Sequence, residues 1–242
     1  MKNIQLVTLG CSWTAQFSKS VSPWPDVIGK ENGWEVTNYG QPGAGNKFAL
    51  DRLLVHILKG DRVDKVYWLL TQWDRFDITV PNKPYPVTIK PYSQQNPLYK
   101  EYSLKFYKHF QPEYTEKELD EHASRIDRKI KIGRTLLDCN NIQHMVDTNL
   151  YYILSVQKLC KELDIDLKII QGMRPIQTTG TRELHHNILK SSFNKDLDHY
   201  IGYPFYNIED SGKWTEDKWI DSEDSHPGPK GAEYIAELFS ND

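Results

Sequence analysis

Short apolar runs alternate with longer amphipathic stretches along this chain. The apolar runs are rich in β-branched and aromatic residues and predict strands at residues 4–9, 34–37, 63–71 and 167–170. Other stretches carry apolar side chains at three- and four-residue spacing, which predicts helices with one buried face at residues 47–58, 142–163 and 229–239. Strands that alternate with helices indicate an α/β fold built on a parallel sheet.

Residues 80–114 interrupt this pattern, because prolines are interleaved there with tyrosines and phenylalanines. Because the segment is rich in aromatic residues, we do not expect it to be disordered, and because it is rich in proline, we do not expect it to form regular sheet. Residues 115–131 read as a charged helix, started by a capping box of Thr115 and Glu118. We therefore predict one domain over residues 1–242 with an ordered insertion at about residues 80–140, which either closes over a site as a lid or packs without touching substrate.

The composition is that of a soluble globular protein, with 38% hydrophobic and 26% charged residues. A formal net charge of -3 and the lack of a long basic run argue against a nucleic-acid partner. No apolar stretch is long enough to cross a bilayer, and the first residues lack a cleavage site, so we expect neither membrane association nor a signal peptide. Three cysteines without paired spacing favour a reducing compartment, namely the cytoplasm.

Ser12 is the candidate nucleophile, because Gly10, Cys11 and Ser12 directly follow the first predicted strand. Open α/β folds bind ligands where their parallel strands end. Alternatively, Ser12 caps a following helix. Far along the chain, His226 is preceded by the acids Glu223 and Asp224, which together could serve as a general base and the group that orients it.

Two further segments follow predicted strands and carry polar or flexible residues. Residues 40–46 are rich in glycine, so their backbone could approach a ligand closely; a phosphate loop is excluded because Asn46 stands where its lysine would be. Gln72 follows the third strand, and its amide could donate to an oxyanion. Alternatively, Asp74 or Asp77 forms a structural network with Arg75, and Gln72 merely bonds loops.

These motifs, in this order over nearly the whole chain, resemble those of the SGNH (GDSL-type) hydrolases. Gly10-Cys11-Ser12 resembles the nucleophile block, Gly43 the glycine block, and Glu223 to His226 the final acid and histidine block. The resemblance implies a three-layer α/β/α sandwich, a triad of Ser12, His226 and an acid, and an oxyanion hole formed by the N–H groups of Ser12 and Gly43 with the amide of Gln72. It also implies that no metal and no organic cofactor is needed.

The chain departs from the family pattern at three places. Cys11 replaces the usual aspartate of the nucleophile block. Thr71-Gln72-Trp73-Asp74 stands where the family has Gly-x-Asn-Asp. Gln72 has the amide chemistry of the family asparagine, whereas Trp73 occupies its position in the motif. Glu223 stands at the usual spacing from His226, whereas Asp224 is the usual type of acid.

The resemblance predicts cleavage of an ester or O-acyl bond in a small molecule or a glycan, such as an O-acetylated carbohydrate. The alternatives are an O-acyltransferase and a binding or structural protein of this fold with little or no catalysis. Cys-Ser-Trp-Thr and His-Pro-Gly-Pro resemble sequences in phage proteins, so a virus-encoded protein made in the host cytoplasm is also considered. The sequence indicates no oligomeric state.

Overall fold

The computed structural model describes residues 3–16, 21–78, 87–91, 97–110, 113–139, 141–176, 181–193, 196–197, 200–201, 207–220 and 226–241. Its strands are β1 (Gln5–Gly10), β2 (Glu35–Gly40), β3 (Lys65–Leu70), β4 (Phe76–Ile78), β5 (Val87–Ile89), β6 (Asp166–Gln171) and β7 (Tyr200–Ile201). The main sheet has the order β2-β1-β3-β6-β7, and each neighbouring pair in it is parallel. The predicted parallel sheet is therefore confirmed.

The helices of the described ranges lie between the strands and at the end of the chain. They are α1 (Trp24–Asn32), α2 (Asn46–Leu58), α3 (Tyr99–Phe110), α4 (Glu116–Cys139), α5 (Ile142–Glu162), α6 (Thr181–Lys190) and α7 (Pro229–Ser240), with a 3-10 turn at Glu216–Lys218. Within these ranges, none of the helices is both long and apolar enough to pass through a membrane.

Helices cover both faces of the sheet, because alternate side chains of each strand point to opposite sides. On one side, Val66, Trp68 and Leu70 of β3 pack with buried residues of α2, α5 and α6. On the other side, Tyr67 and Leu69 pack with α1 and α7. The fold is a three-layer α/β/α sandwich, as the resemblance predicted.

Local capping explains where several helices begin and end. In α1, Pro25 occupies the first turn, and Gly33 ends the helix with a left-handed φ of 66°. The Asn141 side chain accepts a hydrogen bond of 2.8 Å from His144 N at the start of α5. The predicted capping box is confirmed, since Glu118 Oε2 accepts from Thr115 N at 2.8 Å and Thr115 Oγ1 accepts from Glu118 N at 3.3 Å.

The insertion has more regular structure than the sequence predicted. Strands β4 and β5 pair as an antiparallel hairpin, so the expectation of no regular sheet in the proline-rich segment was wrong. Residues 87–89 contain no proline, and neither do residues 99–110 of α3, so short regular elements fit between the prolines. Helix α4 contacts both α3 and β5 and continues past residue 131 to Cys139.

We predict that the core side of α2 contributes far more to stability than its outer side. Leu53 is 0% exposed, whereas Leu58 on the same helix is 84% exposed. Leu53→Ala should therefore lower the free energy of unfolding by about 2–5 kcal/mol, and the control Leu58→Ala should change it by less than about 0.5 kcal/mol. Urea unfolding of both variants measures the difference; equal effects would contradict this assignment of the core.

Candidate active site

Ser12 lies in a tight turn directly after β1. The N–H groups of Thr14 and Ala15 both donate to Cys11 O at 3.0 Å, which closes the turn around Ser12. The Ser12 side chain is buried, with 8% of its surface exposed. Because α1 begins only at Trp24 with Pro23 as its N-cap, the alternative that Ser12 caps a following helix was wrong.

The turn packs directly against the end of β2, where only glycine fits. A Cβ atom on Gly40 would lie 2.5 Å from the carbonyl carbon of Thr14, so any side chain there would displace the turn. Asn38 holds the same contact by hydrogen bonds, since its Nδ2 donates to Thr14 O and its Oδ1 accepts from Gly40 N, both at 2.8 Å. Sequence reasoning did not assign this role to Asn38; an Asn two residues before a glycine is a local signal for such a turn.

Gly43 lies in a turn of four residues that follows β2. Ala44 N donates to Gln41 O at 3.0 Å, and Gly43 has a φ of 78°. Pro42 followed by glycine with positive φ is typical of a type II turn. Gln41 N also donates to Gly10 O at 3.2 Å, which ties this turn to the end of β1. The predicted glycine block and nucleophile block are therefore held together by backbone hydrogen bonds.

Asp77 anchors the glycine-rich loop rather than pairing with Arg75. Its carboxylate accepts from Gly45 N and from Phe48 N, both at 2.9 Å, and from Thr88 Oγ1 at 2.7 Å. A carboxylate at the first turn of α2 satisfies N–H groups that lack partners in the helix. The alternative of an Asp77–Arg75 network was wrong.

The side chains of Gln72 and Trp73 form hydrogen bonds with different partners. The indole of Trp73 is buried, and its Nε1 donates to Gln171 Oε1 at 2.9 Å, so its only side-chain donor is already used. Gln72 Oε1 accepts from Arg75 Nε at 3.0 Å, which leaves the Nε2 group of Gln72 on the opposite side of the amide. Among the described residues nothing accepts from that group.

Arg75 connects three loops at this edge of the sheet. Besides Gln72, it donates from Nη1 to Ala44 O at 3.1 Å and from Nη2 to Met173 Sδ at 3.3 Å. The loops that follow β2, β3 and β6 are thus bridged by one guanidinium, which is 9% exposed. The alternative was a structural Asp74–Arg75 or Asp77–Arg75 network in which Gln72 only bonds loops. Among the described residues, Gln72 bonds Arg75, neither aspartate forms a hydrogen bond with Arg75, and the Gln72 donor is left unused.

Cys11 and Asp74 are buried near this guanidinium. Burial would raise the pKa of the Cys11 thiol, but Arg75, the Thr71 hydroxyl and Lys90 together hold that pKa below its ordinary value. Burial raises the pKa of the Asp74 carboxyl, although Arg75 and Lys90 oppose this shift. Asp74 is 0% exposed, and neither of its carboxyl oxygens has a hydrogen-bond partner.

His226 reaches the nucleophile turn from the far end of the chain. Ile220 N donates to His226 O at 2.9 Å, and Gly228 N donates to Lys218 O at 2.7 Å, so the histidine is fixed just before α7. Ser12 and His226 line the same small pocket. The candidate acids Glu223 and Asp224 lie outside the described residues.

Three tryptophans pack the segment that precedes His226 against the Ser12 turn. The Trp13 ring stacks on Trp214 with centroids 4.8 Å apart and meets Trp219 edge-on at 5.5 Å. Trp13 directly follows Ser12, and Trp219 forms a bridge with Pro227 beside His226. Sequence reasoning noted these aromatic residues without placing them at the site, since nothing local relates Trp13 to residues 214 and 219.

No metal centre is evident in the part of the chain that the structure describes. There, no three His, Cys, Asp or Glu side chains are grouped so that they could hold an ion. His186 is exposed and His185 half-buried on α6, which agrees with their interpretation as surface residues.

Comparison with known proteins gives structural similarity only. No family model and no curated protein matches the chain. Among solved structures, it is similar to a proposed lipolytic protein of the G-D-S-L family from Desulfitobacterium hafniense DCB-2, with 13% identity, 98% of each chain covered and a TM-score of 0.36. It is also similar to a proposed SGNH hydrolase from Slackia heliotrinireducens, with 11% identity, 99% and 98% coverage and a TM-score of 0.42. A third is an alpha/beta hydrolase enzyme from the metagenome of Lake Arreo, Spain, with 11% identity, 98% and 93% coverage and a TM-score of 0.43.

We predict that Asp74 makes stability depend on pH. Its folded-state pKa is raised above the ordinary 3.8, so the folded protein binds more protons than the unfolded chain between these two pKa values. The carboxyl therefore stabilises the fold fully below 3.8, and this contribution is lost as pH rises through the folded pKa. Asp74→Asn should be more stable than the wild type at pH 7.5, and this difference in stability should be smaller at pH 4.5. The exposed control Asp120→Asn should have the same stability as the wild type at each pH. Urea unfolding at several pH values measures this, and a variant less stable at pH 7.5 would contradict it.

Proposed function

We propose that this chain is a serine hydrolase that cleaves an ester or O-acyl bond of a small molecule or glycan. The observation that carries the proposal is that Ser12 and His226, from opposite ends of the sequence, line one pocket. Ser12 stands in a rigid turn at the carboxyl end of a central strand, the position at which α/β folds gather reacting groups. An imidazole beside a serine hydroxyl is the pair needed to activate that hydroxyl as a nucleophile.

In the proposed reaction, Ser12 Oγ attacks the carbonyl carbon while the His226 imidazole takes the hydroxyl proton. When the tetrahedral intermediate collapses, the carbon–oxygen bond to the leaving alcohol breaks, and the imidazolium returns the proton to that alcohol. Water then attacks the acyl-serine, again with His226 as base, which releases the acid and restores Ser12. Glu223 or Asp224 would hold the imidazole in its productive tautomer.

This mechanism needs a hydrogen bond between Ser12 and His226. The Ser12 hydroxyl forms none with any residue of the described ranges, so the proposal requires that this bond form when substrate binds. Hydrogen bonds between catalytic groups commonly tighten only when substrate is bound.

Three N–H donors are candidates for stabilising the oxyanion. The backbone N–H groups of Ser12 and Gly43 donate to no other described residue. Gln72 supplies a third, since its Oε1 is held by Arg75 and its Nε2 is free to donate. Donors fixed before the reaction stabilise a developing negative charge without having to reorganise.

The presence of Gln72 in place of asparagine is the observation that favours the second candidate, a binding protein that has lost efficient catalysis. An O-acyltransferase would use the same groups with an acceptor alcohol in place of water.

We predict that Ser12→Ala and His226→Ala each reduce hydrolysis of short-chain p-nitrophenyl esters by at least about 10³-fold, because either change removes the activated nucleophile. A fluorophosphonate should label the wild type and not Ser12→Ala. The exposed control His186→Ala should retain wild-type rates. If the folded wild type neither hydrolyses these esters nor reacts with the fluorophosphonate, the binding-protein candidate replaces this proposal.

A second prediction tests Gln72 with an isosteric change. Gln72→Glu keeps an oxygen for Arg75 Nε but removes the N–H donor, so folding should be preserved while kcat falls about 10²–10³-fold. KM should change much less, because the interaction belongs to the transition state. Asn241→Asp is the control, an amide-to-carboxylate change at an exposed position, and should leave kcat unchanged. A Gln72→Glu variant with wild-type kcat would exclude the side chain from the oxyanion hole.

A further inference from the structure

Two cations stand opposite each other where the β4–β5 hairpin meets the site. Phe76 pairs with Ile89, Asp77 with Thr88 and Ile78 with Val87. The same antiparallel register places Arg75 opposite Lys90, one position beyond the last pair. Side chains at opposite positions of antiparallel strands share a face with Cβ atoms about 4.5–5.5 Å apart. Like charges in this arrangement repel each other, so the pair costs stability unless an anion compensates it.

Two described groups that could carry negative charge face the pair, the Cys11 thiol and the Asp74 carboxyl, and they compensate it only in part. Neither Arg75 nor Lys90 forms an ion pair within the described ranges, and the atoms that accept from Arg75 are two oxygens of uncharged groups and a thioether sulfur. Asp74 is buried beside them, but burial raises the pKa of its carboxyl, which weakens its negative charge. A buried guanidinium without a counter-ion is expensive.

The pair is placed where a substrate would be bound. Arg75 contacts Ala44, the residue after Gly43, and Gln72, so it adjoins two of the proposed oxyanion donors. Part of the Lys90 residue is exposed at the hairpin. Repulsion by Arg75, together with burial, lowers the pKa of Lys90 to about 7, although attraction to Cys11 and Asp74 opposes this shift.

We propose that Lys90 and Arg75 form an anion subsite that binds a carboxylate of the substrate, so that the preferred ester carries a negative charge. The catalytic part of this inference rests on the proposed function; the binding of a carboxylate does not. Lys90 belongs to the insertion, which thus supplies a specificity-determining residue to the site. An ammonium and a guanidinium together attract a carboxylate far more than an uncharged group of the same shape.

The test compares esters that are matched in shape and differ in charge. For the acyl half, the pair is the mono-4-nitrophenyl ester of adipic acid against 4-nitrophenyl methyl adipate; for the alcohol half, it is 4-acetoxyphenylacetate against 4-acetoxyphenylacetamide. In each pair the charge is insulated from the reacting ester, and spontaneous hydrolysis is subtracted. The wild type should prefer the charged member of at least one pair by roughly 10-fold in kcat/KM, and which pair does so identifies the half that carries the carboxylate. Lys90→Gln should lose the preference, while the exposed control Lys131→Gln should keep it.

The preference should also weaken as pH rises through about 7, because Lys90 then loses its proton. The titratable and charged groups that face Lys90 are Arg75, Cys11 and Asp74 near the sheet edge and Lys129 of α4. A preference that is independent of pH between 6 and 9 would contradict the assignment to Lys90.

Binding of succinate alone separates this inference from the proposed function. Sodium succinate should raise the melting temperature of the wild type and of Lys131→Gln above that in sodium chloride of equal ionic strength, but not that of Lys90→Gln. If succinate binds in this way and no ester is cleaved, the subsite stands and the hydrolase proposal fails. If neutral esters are cleaved, but the wild type shows neither a charge preference nor stabilisation by succinate, the subsite is overturned and the hydrolase proposal stands.

Discussion

The backbone of Thr14 and Ala15 rests against Gly40, and the position of the Ser12 turn depends on that contact. A Cβ at residue 40 would lie 2.5 Å from the Thr14 carbonyl carbon, so β2 can approach the Ser12 turn only through a glycine. The Asn38 side chain forms hydrogen bonds both with the Ser12 turn, at Thr14 O, and with the end of β2, at Gly40 N. Because close-packed backbone cannot deform continuously, Ser12 is held in one geometry. A rigid nucleophile turn lets a few fixed N–H groups be aimed at one point.

Arg75 provides the second constraint, which is electrostatic. Its three hydrogen bonds join the loops that follow β2, β3 and β6, and one of them sets the orientation of the Gln72 amide. The same charge lowers the pKa of both Cys11 and Lys90 and opposes the upward shift that burial gives to Asp74. Such a concentration of shifted pKa values at the end of a sheet is typical of a functional site.

At the His226 end of the site, ring packing acts together with the backbone hydrogen bonds of His226 and Gly228. Trp13, Trp214 and Trp219 form a cluster in which ring contacts link the Ser12 turn to the segment that precedes His226. Large rigid rings transmit position well because they have few rotamers and bury much area. The insertion contributes in a different way, since its hairpin carries Lys90 to the side of the site that faces Arg75. Ser12, His226 and Lys90 are therefore each positioned by a different part of the chain.

The sequence by itself determined the parallel α/β fold, because continuous apolar runs such as residues 65–70 and three- to four-residue periodicity such as residues 142–162 depend only on which side chains each element must bury. It also determined Ser12, Gly43, Gln72 and His226 as candidates, since strand ends and glycine turns are local signals. Strand β7 has only two residues and is too short to show any period. Strand β5 was not predicted, because prolines precede and follow it in the sequence. Only the tertiary structure decided three contacts. They are the position of Arg75 opposite Lys90, the packing of Trp13 on two other tryptophans, and the hydrogen bond from Asn38 to the Ser12 turn. Each joins residues far apart in sequence, and such contacts depend on how the elements pack, which no local pattern records.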